Sequence, residues 1–348
     1  MMPARTYAER PVSLTDLQSI FEAAPLVWSS LRGRRLFITG GTGFFGAWML
    51  ETLAYLYVAH GIDVRATVLT RDSERIRHRW PHICAAGNIS FISGDVRTFA
   101  FPDQTFDDVI HAATPVVDKL PPAELWDTIV GGTRRVLDLA VHSGAERFLL
   151  TSSGAVYGTP LPAARLMTEA QCVAPDPLSV GSGYGEGKRA AEWLCSCYST
   201  SSKLECKVAR CFAFVGPHLA LDGHFAIGNF IRNAMDGRPI IVSGDGTPMR
   251  SYLYATDLIV WLFSILVNGR SAYAYNVGSE EAMSIRELAL RVSAVFGNVP
   301  VEVAKEPELG RAPQWYVPSV ARCRDELGLR QTVVLEEAVA RTAAWNRR

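Results

Sequence analysis

Tyr184-Gly-Glu-Gly-Lys188 sets a phenol and an ammonium four residues apart, which on a helix puts them on one face. A nearby ammonium favours tyrosinate and lowers the phenol from its usual pKa of about 10. Tyr184 is therefore a candidate general acid or base near neutral pH, with Lys188 tuning it. Alone, such a pair is more often a solvated helix face; its conjunction with a glycine turn and a Ser-rich strand end reverses that weighting. Upstream, Thr151-Ser152-Ser153-Gly154 closes an apolar stretch. There Ser153 ends a strand and can hydrogen-bond a reacting oxygen.

A second group binds rather than reacts. Gly40-Gly41-Thr42-Gly43-Phe44-Phe45-Gly46 lies between an apolar strand, Leu36–Thr39, and an almost wholly apolar helix, Ala47–Ala59. Glycine lets a backbone turn tightly and approach a pyrophosphate, and the next helix offers free N–H groups and its positive end. Strand, turn and helix together give the motif its meaning. Gly94-Asp95-Val96 follows the third apolar stretch. Asp95 there either accepts from an adenine amino group or caps a turn. The second strand ends Thr70-Arg71-Asp72. If Thr70 holds the ribose position, Arg71 meets a 2′-phosphate; if Asp72 holds it, the free 2′-OH is selected. The segment alone favours NADP over NAD.

These groups need a scaffold. Strands are expected at Leu36–Thr39, Asp63–Thr70, Ile89–Ile92, Val109–Ala113 and Phe148–Ser152, and helices at Ala47–Ala59, Glu124–His142 and Tyr184–Tyr198. Alternation with short connections predicts an α/β fold: a Rossmann-like doubly wound parallel sheet with a smaller mixed α/β C-terminal domain. The division expected is residues 1–30 as a helical extension, 31–215 as the dinucleotide-binding domain and 216–348 as mainly the substrate domain. Strands near 208 and 275 are free to rejoin the main sheet. In the extension Leu14, Leu17, Ile20 and Phe21 share a helical face, with Ser13 or Thr15 as cap. Ser284 is expected to cap the helix Ile285–Phe296.

Of 348 residues, 35 are Lys or Arg and 35 Asp or Glu, a zero net charge that argues against nucleic-acid binding by phosphate neutralisation. The longest apolar runs, Trp48–Ala59 and Leu258–Val267, fall short of the roughly 20 residues of a membrane span. Arg5, Glu9 and Arg10 interrupt the N-terminus, so no secretory signal is read there. Seven cysteines without framework spacing read as reduced thiols in a cytoplasmic protein, and no metal is expected.

From Leu36 to Leu329 the chain resembles the extended short-chain dehydrogenase/reductase family of nucleotide-sugar epimerases, dehydratases, decarboxylases and 4-ketoreductases. The family's cofactor turn is matched by Gly40, Gly43 and Gly46, its adenine-side acid by Asp95 beside Val96, and its His-Ala-Ala strand end by His111, Ala112 and Ala113. Its catalytic residues are matched by Ser153, Tyr184 and Lys188. Ala209 to Pro217, which includes Phe214, is similar to its Arg-x-Phe-x-x-x-Gly-Pro element, and Gly244 to Asp257 to the segment whose Arg reaches a nucleotide diphosphate. Tyr316 to Leu327 is similar to its C-terminal element. The resemblance implies NAD or NADP in the first domain, a nucleotide-diphosphate sugar in the second, and a homodimer built on the Tyr/Lys helix, with Trp193, Leu194 and Tyr198 available to it. It makes Arg250 the diphosphate clamp, guanidinium binding phosphate bidentately, with Arg311 a second candidate.

Departures narrow the reaction. After the catalytic Ser/Thr the 4,6-dehydratases carry an acidic pair and the decarboxylases a Glu; this chain has Gly154 and Ala155. Neither moves a proton. Hydride transfer at C4 of a hexose remains, as a 4-epimerase first and a 4-keto-sugar reductase second, ahead of a dehydratase, a decarboxylase or a dinucleotide sensor without catalysis. The family's Asn after Arg-x-Phe is Ala213 here, leaving Asn229 and His224 as replacement substrate contacts.

Overall fold

Short runs of β-branched and apolar residues between sharp turns favour strands, and long apolar runs between them favour buried helices. The computed structural model describes residues 10–114, 120–158, 166–171, 173–223, 225–308, 310 and 312–347. Its first half contains α1 (Leu14–Ala23), α2 (Pro25–Ser30), β1 (Arg35–Thr39), α3 (Phe44–His60), β2 (Arg65–Thr70), α4 (Ser73–Arg79), α5 (Pro81–Ala85), β3 (Ile89–Ser93), β4 (Asp108–His111), α6 (Pro122–Trp126), α7 (Gly132–His142), β5 (Arg147–Ser153) and α8 (Gly183–Ser201). There follow β6 (Glu205–Cys211), β7 (Phe214–Val215), α9 (Ala226–Met235), β8 (Ile240–Val242), β9 (Met249–Arg250), β10 (Leu253–Tyr254), α10 (Ala255–Asn268) and β11 (Tyr273–Val277). The chain ends with β12 (Met283–Ser284), α11 (Ile285–Val295), β13 (Val301–Val303), β14 (Trp315–Tyr316), α12 (Ala321–Leu327) and α13 (Leu335–Arg347).

Seven strands form one parallel sheet in the order β3-β2-β1-β4-β5-β6-β11. The chain starts at the centre, runs outward to β3, then returns to the other side of β1. Thr39 is in register with Leu69 on one side and His111 on the other. Between β1 and β4 the strand order reverses, the place where open α/β sheets bind ligands at their carboxyl ends. The strands near 208 and 275 do rejoin this sheet, as β6 and β11.

Contacts divide the chain into two units. One comprises the residues up to Ser152, with Asp176–Ala209 and Leu262–Ala274; the other comprises Ser153–Pro175, Arg210–Trp261 and Tyr275 onward. The sequence-based division at 215/216 differs, because the chain leaves and re-enters each unit. In the first unit Phe37, Phe106, Val136, Phe148, Leu150, Ala191 and Cys195 pack in one apolar cluster. Ser13 caps α1 through the Asp16 amide at 3.1 Å. Leu17 and Ile20 are buried, whereas Leu14, the first residue of the helix, is 72% exposed. The expected helix 124–142 is interrupted: Asp127–Gly131 forms a π turn between α6 and α7. Gly187 of α8 makes room for it, since a Cβ there would stand 3.2 Å from Ile129.

In the second unit β7 pairs β10, β9 lies between β12 and β14, and β8 pairs β13. Ser284 caps α11 through the Glu287 amide at 3.0 Å. Asn276 is buried and ties three segments: its amide donates to the Met167 carbonyl at 2.8 Å and the Ser319 carbonyl at 3.0 Å, and its oxygen accepts from Tyr157 at 2.7 Å. Among the described residues no helix is long and apolar enough to cross a membrane.

Candidate active site

The glycine turn is shaped by what its Cα atoms touch. Gly40 has φ +71°, and a Cβ on it would fall on the Ala112 carbonyl and the Ala113 nitrogen. A Cβ on Gly46 would fall on the Gly41 backbone. Only glycine satisfies both. Gly43 is the N-cap of α3 and offers no side-chain acceptor, so no side chain of the cap competes for the N–H groups that a helix presents at its first turn. That is the geometry a bound diphosphate completes, and the residues present fit a dinucleotide. Arg79 donates to the Thr42 carbonyl at 3.1 Å and brings a positive charge to the turn.

Around it, β2 ends on Thr70, which is buried, and Arg71 is exposed. Asp72 is the N-cap of α4, its carboxylate accepting from the Arg75 amide at 2.9 Å. Asp95 accepts from the Arg97 guanidinium at 2.8 and 2.7 Å and from the Arg97 amide at 2.9 Å. Arg97 holds its carboxyl down to about 2 against the opposing effect of burial, and Arg71 adds a smaller pull. Val96 lies against Gly132, where a Cβ would come within 3.0 Å of it.

His111 lies beneath the turn rather than in it. Its side chain is buried, Nδ1 2.7 Å from Thr39 Oγ1 and Nε2 3.0 Å from Thr133 Oγ1. Thr133 donates to the Ile129 carbonyl at 2.5 Å, so it accepts from Nε2–H, and Nδ1 accepts from Thr39. Burial, with a smaller contribution from Lys188, lowers the imidazole to about 3, so it is neutral. Thr39 Oγ1 also accepts from the Ala113 amide at 3.2 Å. The network fixes the backbone of Ala112 and Ala113, the two residues that Gly40 approaches.

Tyr184 and Lys188 occupy the first turns of α8. Lys188 is buried; its ammonium donates to Thr114 Oγ1 at 2.7 Å and to the Thr151 carbonyl at 2.8 Å, and lies 6.0 Å from the Tyr184 ring centroid. An ammonium has only donors to offer, and both of these partners are oxygens that can accept. Ser152 donates to Glu192 of the same helix at 2.6 Å. Of the three residues considered for a dimer, Trp193 is 67% exposed, while Leu194 and Tyr198 pack against the unit's own core.

In the second unit Ser153, the last residue of β5, accepts from the Ala155 amide at 3.1 Å and lies 3.4 Å from the Tyr316 hydroxyl. The Tyr316 ring stands 4.8 Å from Phe212 and 5.7 Å from the Arg250 guanidinium. Arg250 is in register with Tyr316 and donates to Gln314 Oε1 at 2.9 Å and the Met249 carbonyl at 2.8 Å. Burial lowers its pKa, while Tyr252 and Tyr316 raise it. Phe214 is buried in β7 beside Leu253 of β10. Asn229 spends its amide at the start of α9, donating to the Gly223 and Phe225 carbonyls at 2.9 and 3.3 Å. His224 and Arg311 lie outside the described residues. Sequence reasoning missed Tyr316, Thr114 and the Thr39–His111–Thr133 chain as site components. Tyr316 begins the recognised C-terminal element, but its function there is a matter of what it touches.

The model of the NAD dependent epimerase/dehydratase family matches residues 36–278. The UDP-glucuronic acid decarboxylase 2 of Arabidopsis thaliana is 31% identical over 340 residues, covering 95% of this chain and 73% of that protein. Among solved structures, the UDP-glucose 4-epimerase of Thermotoga maritima, with UDP-glucose, superposes with a TM-score of 0.74 at 20% identity over 90% of this chain and 98% of its own. The dTDP-glucose 4,6-dehydratase of Streptomyces venezuelae, with NAD bound, gives 0.74 at 24% identity over 90% and 97%. With the sheet, the glycine turn and this match over most of its length, the chain belongs to the NAD dependent epimerase/dehydratase family, extended short-chain dehydrogenases that modify nucleotide sugars.

Proposed function

We propose that this protein oxidises and re-reduces C4 of a nucleotide-diphosphate hexose, a 4-epimerase. One observation carries the reading. A Cβ on Gly154 would stand 2.7 Å from the Phe212 ring and 2.9 Å from the Tyr316 hydroxyl, and the next residue is Ala155. Aromatic groups occupy the space that an acidic side chain after Ser153 would need. Elimination of water across C5–C6 requires such a group; hydride transfer at C4 does not.

Tyr184 takes the C4 hydroxyl proton and later returns it. Ser153 donates a hydrogen bond to the same oxygen, which gains negative character as the carbon–hydrogen bond breaks. Lys188 would bond the nicotinamide ribose and sets its amino group 6.0 Å from the Tyr184 ring, where it tunes the phenol. A dinucleotide held by Gly40–Gly46, Asp95 and Lys188 supplies the acceptor and donor of hydride. Arg250 clamps the sugar nucleotide's diphosphate, leaving the sugar itself free to turn between oxidation and reduction. Exposed Arg71 beside a β2 end without an acidic residue favours NADP, since Asp72 is engaged as a helix cap.

Two other outcomes use the same residues. A 4-keto sugar delivered from elsewhere would be reduced, with Tyr184 donating the proton. The decarboxylase relatives favour a third. A hexuronic acid oxidised at C4 is a β-keto acid, which loses CO₂ with the ketone as electron sink and without a further side-chain base. The test is incubation of the full chain with UDP-glucose and, separately, UDP-glucuronic acid, with products identified by NMR and the dinucleotide released on denaturation identified by mass spectrometry. UDP-galactose or UDP-galacturonic acid with retained cofactor supports epimerisation. UDP-xylose would replace it by decarboxylation, and an empty protein that consumes NADPH on a 4-keto sugar would replace it by reduction.

A further inference from the structure

Ser153 can serve a C4 oxygen that is losing its proton only as a hydrogen-bond donor. A hydroxyl has one proton and two lone pairs, so what surrounds Ser153 decides which way that proton points. The Ala155 amide occupies one lone pair at 3.1 Å. Among the described residues the other partner of this hydroxyl is the Tyr316 hydroxyl, 3.4 Å away. A phenol is the stronger acid of the two and the better donor. Tyr316 therefore donates and Ser153 accepts. Both lone pairs are then taken, and the serine proton is left for the substrate.

We infer that Tyr316 is a positioning residue that fixes the Ser153 hydroxyl as donor to the reacting sugar oxygen, an inference that rests on the C4-oxidation reading. Three restraints hold the phenol in place. Its ring packs on Phe212 at 4.8 Å. β14 pairs β9 with Tyr316 opposite Arg250. The absent Cβ of Gly154 leaves the hydroxyl its room, since a methyl group there would come within 2.9 Å of it. Gly154 thus does two things: it excludes an acid and admits a phenol. A distance of 3.4 Å is long for two hydroxyls, and such bonds shorten when substrate closes a site. Tyr316 has its hydroxyl beside Ser153 and its ring beside the Arg250 guanidinium, so the proposed diphosphate clamp and the proposed oxygen donor share a support.

The test is a double-mutant cycle in the full chain, assayed by hydride transfer and product formation with UDP-glucose and UDP-glucuronic acid. Tyr316→Phe should lower kcat about tenfold with KM little changed, the loss expected of one oriented hydrogen bond. Ser153→Ala should lower it about a hundredfold. The double variant should be no slower than Ser153→Ala alone, because Tyr316 acts only through Ser153. A structural contribution from the phenol would instead multiply the two losses, and that result, or an undiminished Tyr316→Phe, overturns the inference. Full turnover in Ser153→Ala overturns the catalytic reading beneath it, a distinguishable failure. A crystal structure of the unaltered chain gives a check without turnover: Ser153 and Tyr316 oxygens beyond about 3.6 Å would refute the bond.

Discussion

Gly40→Ala and Gly33→Ala are a matched pair. Both glycines are left-handed, at φ +71° and +76°. A Cβ at Gly33 meets nothing within 4 Å, whereas one at Gly40 lands on the Ala112 carbonyl and the Ala113 nitrogen. The left-handed conformation costs an alanine about 1–2 kcal/mol, partly offset by the roughly 0.4–1 kcal/mol that alanine removes from unfolded-chain entropy. Gly33→Ala should therefore lose about 0–1.6 kcal/mol. Gly40→Ala bears the same strain plus overpacking of about 1–3 kcal/mol. Its urea midpoint should fall below that of Gly33→Ala by roughly 0.3–1 M, for a slope of about 3 kcal/mol/M. The clash can be relieved only by moving Ala112 and Ala113 or the turn itself, so dinucleotide affinity should drop at least about tenfold in Gly40→Ala and not in Gly33→Ala. Urea unfolding followed by fluorescence and titration with NADH and NADPH would measure both. Equal midpoints and equal affinities for the pair would refute the close approach of the turn to β4.

Tyr184→Phe should reduce turnover by about 10²–10⁴-fold while the protein still retains dinucleotide; near-normal turnover would remove Tyr184 as the acid–base group. Arg71→Ala should weaken NADPH about tenfold or more and leave NADH unchanged, measured by titration; equal losses would mean Arg71 does not meet a 2′-phosphate. His111 gives a pH signature. Burial holds it neutral to about 3 in the folded chain, against about 6.5 unfolded. The unfolded chain therefore binds the proton first, and stability falls as pH drops below about 6.5, down to about 3. His111→Asn should be less stable than the parent at pH 8, and the gap should close as pH falls. A gap constant with pH in chemical denaturation would refute the buried neutral imidazole.

The strands and helices of the first unit were legible because each carries its own period: β1, β2 and β4 are short apolar runs, and α3 is mostly apolar because its stretch from Gly46 to Ala54 is buried all round. The C-terminal half was legible only in part. β9, β10, β12 and β14 are two residues long, so no periodicity can announce them; they exist because neighbouring segments pair. The π turn at Asp127–Gly131 was invisible for a different reason. Its composition is helical, and the room for Ile129 comes in part from the absent side chain of Gly187, some 60 residues away. At the site, residue types pointed to Tyr184, Lys188 and the glycines. His111 was recognised, but not its burial, which follows from the hydroxyls of Thr39 and Thr133 on either side. Leu14 misled because amphipathic spacing says which residues share a face, not where along that face burial begins.

The end of β5 shows why such a site is hard to read one residue at a time. Three hydroxyl residues in succession have three separate tasks. Thr151 turns its hydroxyl to the His111 carbonyl at 3.2 Å and its own carbonyl to the Lys188 ammonium. Ser152 donates to Glu192, one turn beyond Lys188 on α8, which ties the strand to the helix that carries Tyr184. Ser153 accepts from the Ala155 amide and faces Tyr316. Successive residues of a strand point to opposite sides, so a serine exchanged with its neighbour would lose its partner though the composition stayed the same. The functional unit in this sequence is therefore the phase of Thr-Ser-Ser-Gly relative to the strand. Moving it by one residue would put Ser152's anchor where Ser153's donor must be, and would give Gly154's place to a side chain that Phe212 and Tyr316 leave no room for.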